Sequence, residues 1–176
     1  MINNNSKARD IVLLSLMVAI IEVCKLALSG IANVELTSFL IIMFTLYFGK
    51  KTFWAIPAFV TVEILIFGFE LMWVLAYCYV WLILYLLTLA LSKFKSVFSM
   101  ALLSGFYGLV FGFLCSFPYL FVTSALNPTA GLKSAIAYWI AGIPFDVVHG
   151  VSNFVIMLVL YVPLSKVLER VVNKNT

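Results

Sequence analysis

Charge is what this sequence has least of. Only 10% of its 176 residues are Asp, Glu, Lys or Arg, where soluble domains carry roughly 25%, and 65% are hydrophobic, with a mean hydropathy of +1.17. A water-soluble globular domain is excluded. Histidine occurs once and cysteine three times, and Cys24, Cys78 and Cys115 sit inside apolar runs without CxxC spacing. That leaves no zinc set and no disulfide framework, so the cysteines read as small apolar fillers and no metal site is expected. A Walker phosphate loop, HExxH, GxSxG and a dinucleotide fingerprint are all missing. No catalytic residue and no cofactor are expected in this chain, and any ATP hydrolysis falls to another subunit. An internal repeat of the kind that builds secondary transporters is also absent.

What is present is a series of apolar runs. Each crossing of about 30 Å of hydrocarbon takes about 20 apolar residues, which leaves no length here for a soluble catalytic module. Runs over 11–29, 31–48, 52–69, 72–91, 97–122 and 134–167 predict an all-α integral membrane protein. The chain, 1–176, is expected to form a single domain, a bundle of six transmembrane helices. The polar, basic start invites a signal-peptide reading, but no small-x-small cleavage pattern follows promptly, and a retained first helix is expected. The second run is short if it begins at Leu36, so either Ile31 to Glu35 enter the membrane or the helix tilts inside the bundle. Pro144 and Pro163 are expected to kink or end the last run.

Orientation follows from the basic residues. With six spans, Lys7, Arg9, Lys50, Lys51, Lys93, Lys95, Lys166, Arg170 and Lys174 fall on one side, and the opposite loops hold only Lys133. Cytoplasmic loops retain Lys and Arg, so both termini are expected in the cytoplasm, as in a multi-pass protein of a prokaryotic cell membrane. The same bias accounts for the net charge of +4 without a nucleic-acid partner.

Ionisable groups inside a bilayer are expensive and face a bundle interior or a water-filled cavity. The candidates are Glu22, Lys25, Glu35, Glu63, Glu70, Asp146 and His149, which under this topology gather toward the outer side. Asp146, His149, Gly150 and Asn153 recur at helical spacing, and Glu63 and Glu70 are seven apart, which puts each set on one helix face. Such groups hold helices together by hydrogen bonds or line a ligand cavity, and as a set they point to a cavity. Trp73, Tyr77 and Trp81 recur every four positions with Tyr79 and Tyr85 beside them, a stripe able to cover a ring-bearing ligand; Trp73 and Tyr77 also suit an interfacial belt. Tyr119, Tyr138 and Trp139 read equally as belt residues or cavity walls. Ser104, Gly108, Gly112 and Ser116 recur every four residues, a pattern for close helix packing against an internal or external partner; Ser15 and Ala19 make a shorter pair of the same kind.

These features together resemble the S component of an energy-coupling factor (ECF) vitamin transporter, its small membrane-embedded substrate-binding subunit. The resemblance covers essentially the whole chain. It rests on length, the six spans, the Ala32-Asn33-Val34-Glu35 stretch after the first span, the aromatic-rich fourth span, and Pro144-Phe145-Asp146-Val147-Val148-His149 through Asn153 before Pro163-Leu164. It implies capture of a B-type vitamin or related micronutrient from outside, and association with a transmembrane T component and two ATPases. Toppling in the membrane would carry the ligand inward. It also implies a small-residue docking face for the T component on the first helix, which Ser15 and Ala19 match in part. The ligand site carried over from the resemblance takes in Asn33, Glu35, Glu70, Trp73, Tyr77, Trp81, Asp146, His149 and Asn153; Glu63 joins it as an intramembrane carboxylate.

Aromatic residues suggest ring stacking, and acidic residues outnumber Lys25 and Lys133 near the site, which disfavours a strongly anionic ligand such as folate. The resemblance makes a bulky ring such as cobalamin the leading expectation, with queuosine precursors, thiamine, pyridoxine derivatives and haem as alternatives. His149 is expected either to ligate a corrinoid or haem metal or, as a buried side chain, to be satisfied by Asp146. The competing expectation for the whole chain is an autonomous proton-coupled carrier using Glu63, Asp146 and His149.

Overall fold

The computed structural model describes residues 4–173, with side chains from Lys7 onward. Lys174, assigned above to the basic side, lies outside the described residues. The described residues form seven helices and no strand: α1 (Asn4–Leu28), α2 (Thr37–Phe48), α3 (Lys50–Phe67), α4 (Leu71–Ala90), α5 (Val97–Cys115), α6 (Phe117–Leu126) and α7 (Gly131–Asn173). Four segments are long and apolar enough to cross a membrane: Lys7–Leu28, Leu71–Ala90, Val97–Leu126 and Gly131–Asn173. Large apolar side chains such as Val12, Leu65, Phe106, Val151 and Val159 stand exposed on the outside of the bundle, which fits a helical membrane-embedded protein whose outer face meets lipid.

Helix ends follow from local chemistry. Glu70 caps α4, its two carboxylate oxygens accepting from the Met72 N–H at 3.1 Å and the Trp73 N–H at 3.0 Å. Ser96 caps α5 by accepting from the Ser99 N–H at 3.1 Å. Gly68 ends α3 with a φ of +84°, a conformation closed to most side chains. That break corrects the pairing of Glu63 with Glu70: Glu70 lies past the end of α3 and belongs to the cap of α4.

Three span limits also differ from the sequence expectation. α2 starts only at Thr37, and Ile31–Glu35 form an irregular link whose φ at Asn33 is +57°, a left-handed turn that asparagine tolerates. The run 97–122 is two helices broken at Ser116, where the Ser116 hydroxyl donates to the Phe113 carbonyl at 2.7 Å and Pro118 opens the next turn. Neither Pro144 nor Pro163 ends the last helix, which runs unbroken from Gly131 to Asn173. Its 43 residues, at about 1.5 Å each, extend about 65 Å, so α7 projects well beyond about 30 Å of hydrocarbon.

α2 is the hub. Every residue from Thr37 to Thr45 is buried, and the helix packs against α1, α3, α4, α5 and α7. The α5–α6 arm and α7 form an antiparallel hairpin whose seam is made by small residues: a β-carbon on Gly108 would reach the Gly150 backbone, and one on Gly112 would reach the Asp146 carboxylate. The basic positions collect at one end. There Lys51 pairs with Asp10 at 2.7 Å, the Tyr47 hydroxyl donates to Glu169 at 3.3 Å, and the Tyr161 hydroxyl donates to the Lys95 carbonyl at 2.8 Å. The links 29–36, 68–70 and 127–130 lie at the opposite end, where the polar cavity opens.

Candidate functional site

A cavity of about 410 Å³ opens among the end of α1, the link Ser29–Glu35, the end of α3, the start of α4, Phe111 of α5 and His149 of α7. Each wall is placed by a local feature already described. The Gly68 break and the Glu70 cap turn the chain so that Glu63 and Phe67 of α3 face Trp73 and Tyr77 of α4. The left-handed turn at Asn33 folds the link over the opening, and the Ser152 hydroxyl of α7 fastens it by donating to the Asn33 carbonyl at 3.2 Å.

Two acid–base contacts line this space. Lys25 donates to the Glu63 carboxylate and, at 3.4 Å, to the Tyr77 hydroxyl. His149 Nε2 stands 3.1 Å from Glu35 Oε1, near enough for an ion pair yet not aligned as a hydrogen bond. The His149 ring is 2% exposed and meets Phe111 edge-on at 4.9 Å between centroids. Glu63 Oε1, Glu35 Oε1 and His149 Nε2 are buried and have no aligned hydrogen-bond partner among the described residues. A buried polar atom without a partner is costly, so these atoms are the ones a bound polar group would satisfy.

Aromatic side chains build the remaining wall. Tyr77 stands edge-on to both Trp73 and Trp81, each at 5.3 Å, and stacks on Phe59 at 6.3 Å. A second, smaller cavity of about 200 Å³ lies behind Trp73, Tyr77 and Phe111, closed by Cys115 and the stacked pair Tyr119 and Tyr138. Tyr119 and Tyr138 thus form a cavity wall, while Trp139 packs edge-on against Phe113.

Of the residues expected to bind substrate, Asn33, Glu35, Glu63, Trp73, Tyr77 and His149 line the main cavity. The others lie elsewhere. Glu70 caps α4. Trp81, 0% exposed, is in the core against Phe59, Tyr107 and Phe111. Asp146 accepts from the Gly112 N–H at 2.9 Å, so His149 takes Glu35 rather than Asp146 as its acidic neighbour, a correction to the expected pairing. Asn153, also 0% exposed, has no hydrogen-bond partner for its amide atoms among the described residues. Ser15 and Ala19 stand on an exposed face of α1. Ser104 is buried on α5, and Ser116 sits at the α5–α6 break.

Lys25, one of the ionisable set expected to face a cavity, lines it, and Phe67 and Phe111 join the lining without having been placed there. Lys25 stands out in the sequence as a charge in an apolar helix, but its partner is 38 residues away. Phe67 and Phe111 are two of 16 phenylalanines, with no signal to set them apart. Protein-family models, curated proteins and solved structures give no match to this chain.

Proposed function

We propose that this chain is the substrate-binding membrane subunit of an ECF-type importer, with six spans, both termini cytoplasmic and the cavity facing outward. The observation that carries the reading is the position of the cavity: polar, aromatic-walled, and at the end of the bundle opposite the basic cluster. The six crossings are α1, α2, α3, α4, the α5–α6 arm and α7. The 12 residues of α2 reach only about 18 Å, so its crossing would be completed by the link 29–36, shielded inside the bundle.

Ligand size narrows the substrate class. About 410 Å³ lies toward the lower end of the range of about 300–1,000 Å³ that holds drug-sized ligands. That supports a one- or two-ring micronutrient, such as a thiamine, pyridoxine or queuosine-precursor type, over a corrinoid or haem. The ring would lie against Trp73, Tyr77 and Phe111 while its polar edge meets Glu35, Glu63 and His149. ATP would be hydrolysed by two partner ATPases, with coupling through a T component.

Purification in mild detergent from cells grown in rich medium, followed by mass spectrometry of bound small molecules and co-purifying proteins, tests this. A stoichiometric ring compound together with ATPase subunits is expected. An empty protein that never associates with an ATPase would count against it. Uptake by vesicles holding this chain alone would instead favour an autonomous proton-coupled carrier, for which the adjacent carboxyls of Glu22 and Glu63 would be the proton-bearing pair.

A further inference from the structure

Lys25 is held in an unusual way for a lysine near a helix end. Its Nζ lies 5.2 Å from the ring centroids of Phe67 and Tyr77 and 5.9 Å from that of Phe59, and it contacts the Glu63 carboxylate. Three aromatic rings with a carboxylate beside them form the arrangement by which proteins recognise ammonium ligands. The ion pair with Glu63 ties α1 to α3, and the same lysine also lines the open cavity, within reach of its free space.

A second acid lies beside this ion pair. Glu22, one turn before Lys25 on α1, is a second buried carboxyl beside Glu63, so two acids face one ammonium. Among the described residues, the Glu22 oxygens and Glu63 Oε1 have no aligned hydrogen-bond partner outside this pair of carboxyls. Two adjacent carboxyls that share one proton carry a single negative charge between them, which matches one ammonium in the cage.

We propose that Phe67, Tyr77 and Glu63 of the cavity wall, with the buried Phe59 behind them, form a cation-recognising subsite in which Lys25 stands in for the ligand's own positive group. The inference deepens the ligand-binding reading and rests on it: the substrate is a compound carrying an ammonium or a cationic ring. On binding, that group replaces the Lys25 ammonium in the cage, charge for charge, and Lys25 swings on its flexible stem into the open part of the cavity. The lysine is thus a tethered competitor that keeps the cage filled in the absence of ligand.

Chemical rescue tests this without knowledge of the substrate. Lys25→Ala empties the cage, and butylammonium should raise the thermal unfolding midpoint of that variant, whereas butanol should not. Adding Glu63→Gln should abolish the rescue. Equal effects of butylammonium and butanol, or none from either, would overturn the proposal. Should Lys25→Ala fail to fold, the native protein supplies a second readout: choline should increase several-fold the fraction of Lys25 labelled by an amine-directed acylating reagent, and its uncharged isostere dimethylbutanol should leave it unchanged. Identical labelling with both compounds would also overturn the proposal. Neither readout needs a vitamin or an ATPase, so failure here leaves the importer reading standing. Conversely, rescue without any co-purified ligand or partner would keep the cage and sink the importer.

Discussion

A β-carbon placed on Gly108 of α5 would stand 2.8 Å from the Cα and N of Gly150 of α7, so the two helices meet backbone to backbone at this pair. Lipid supplies no hydrophobic drive to bring helices together, and close van der Waals contact between small residues takes its place. Because the clash at Gly108 is with backbone, no side-chain rotation relieves it. Gly108→Ala should therefore destabilise the protein by about 1–3 kcal/mol, the usual cost of overpacking. Gly142→Ala on the same α7 is the control, since a β-carbon there meets nothing within 4 Å. It should be neutral or add up to about 1 kcal/mol, because alanine suits a helix interior better than glycine. Thermal unfolding in detergent decides, and equal shifts for the two variants would mean that the α5–α7 seam is looser than described.

The cap at the start of α4 makes a second expectation. Glu70 satisfies two backbone N–H groups that no preceding turn reaches, and one of them belongs to the cavity residue Trp73. Glu70→Ala should cost about 0.5–2 kcal/mol of stability. It should also change the emission of Trp73, since the first turn of α4 frays when its donors are left open. An unchanged midpoint would show that water replaces the cap fully.

The sequence made much of this legible where residues break a pattern. α4 lies between Glu70 and Lys93, and the apolar run 72–91 marks it within a residue at each end because charge bounds it on both sides. The break at Ser116 carries no such mark: hydrophobic residues continue through Phe117 and Leu120, and only Pro118 hints at a new helix start. The site divides in the same manner. Glu35, Glu63 and His149 announce themselves as ionisable exceptions in an apolar chain. Which acid meets which base is a matter of helix rotation and packing, and periodicity within one helix does not report it. Asp146 and His149 share a face of α7, yet Gly112 takes the first and Glu35 the second.

That division yields opposite expectations for residues that look alike in sequence. Glu35→Gln and His149→Ala remove cavity atoms that lack aligned partners, so they should weaken ligand retention about tenfold or more, which corresponds to about 1.4 kcal/mol. Trp81→Ala leaves a hole among Phe59, Tyr107 and Phe111 and should cost about 3–5 kcal/mol of stability. The milder Trp81→Phe should keep the fold with ligand affinity nearly unchanged. Unfolding and ligand titration on one preparation of each variant separate the two effects. A tenfold loss of affinity in Trp81→Phe without loss of stability would extend the site into the core.

The exposed face of α1 supplies the last expectation. Ser15 and Ala19 lie one turn apart there beside Leu16 and Ile20, exposed, with none of the described helices covering them. Both positions are exposed among the described residues, so Ser15→Leu and Ala19→Leu should alter stability by less than about 0.5 kcal/mol, as surface changes do. Ligand retention should also hold, because the cavity begins near Lys25, beyond this stretch of the same helix. If this face docks a T component through close backbone approach, the added leucine holds the two helices apart, and recovery of the ATPase complex should fall sharply. Co-purification from cells expressing the partner subunits reads this directly. Full recovery with both variants would move docking to another exposed face, where the cleft between Phe106 of α5 and Val151 of α7 is the next surface to alter.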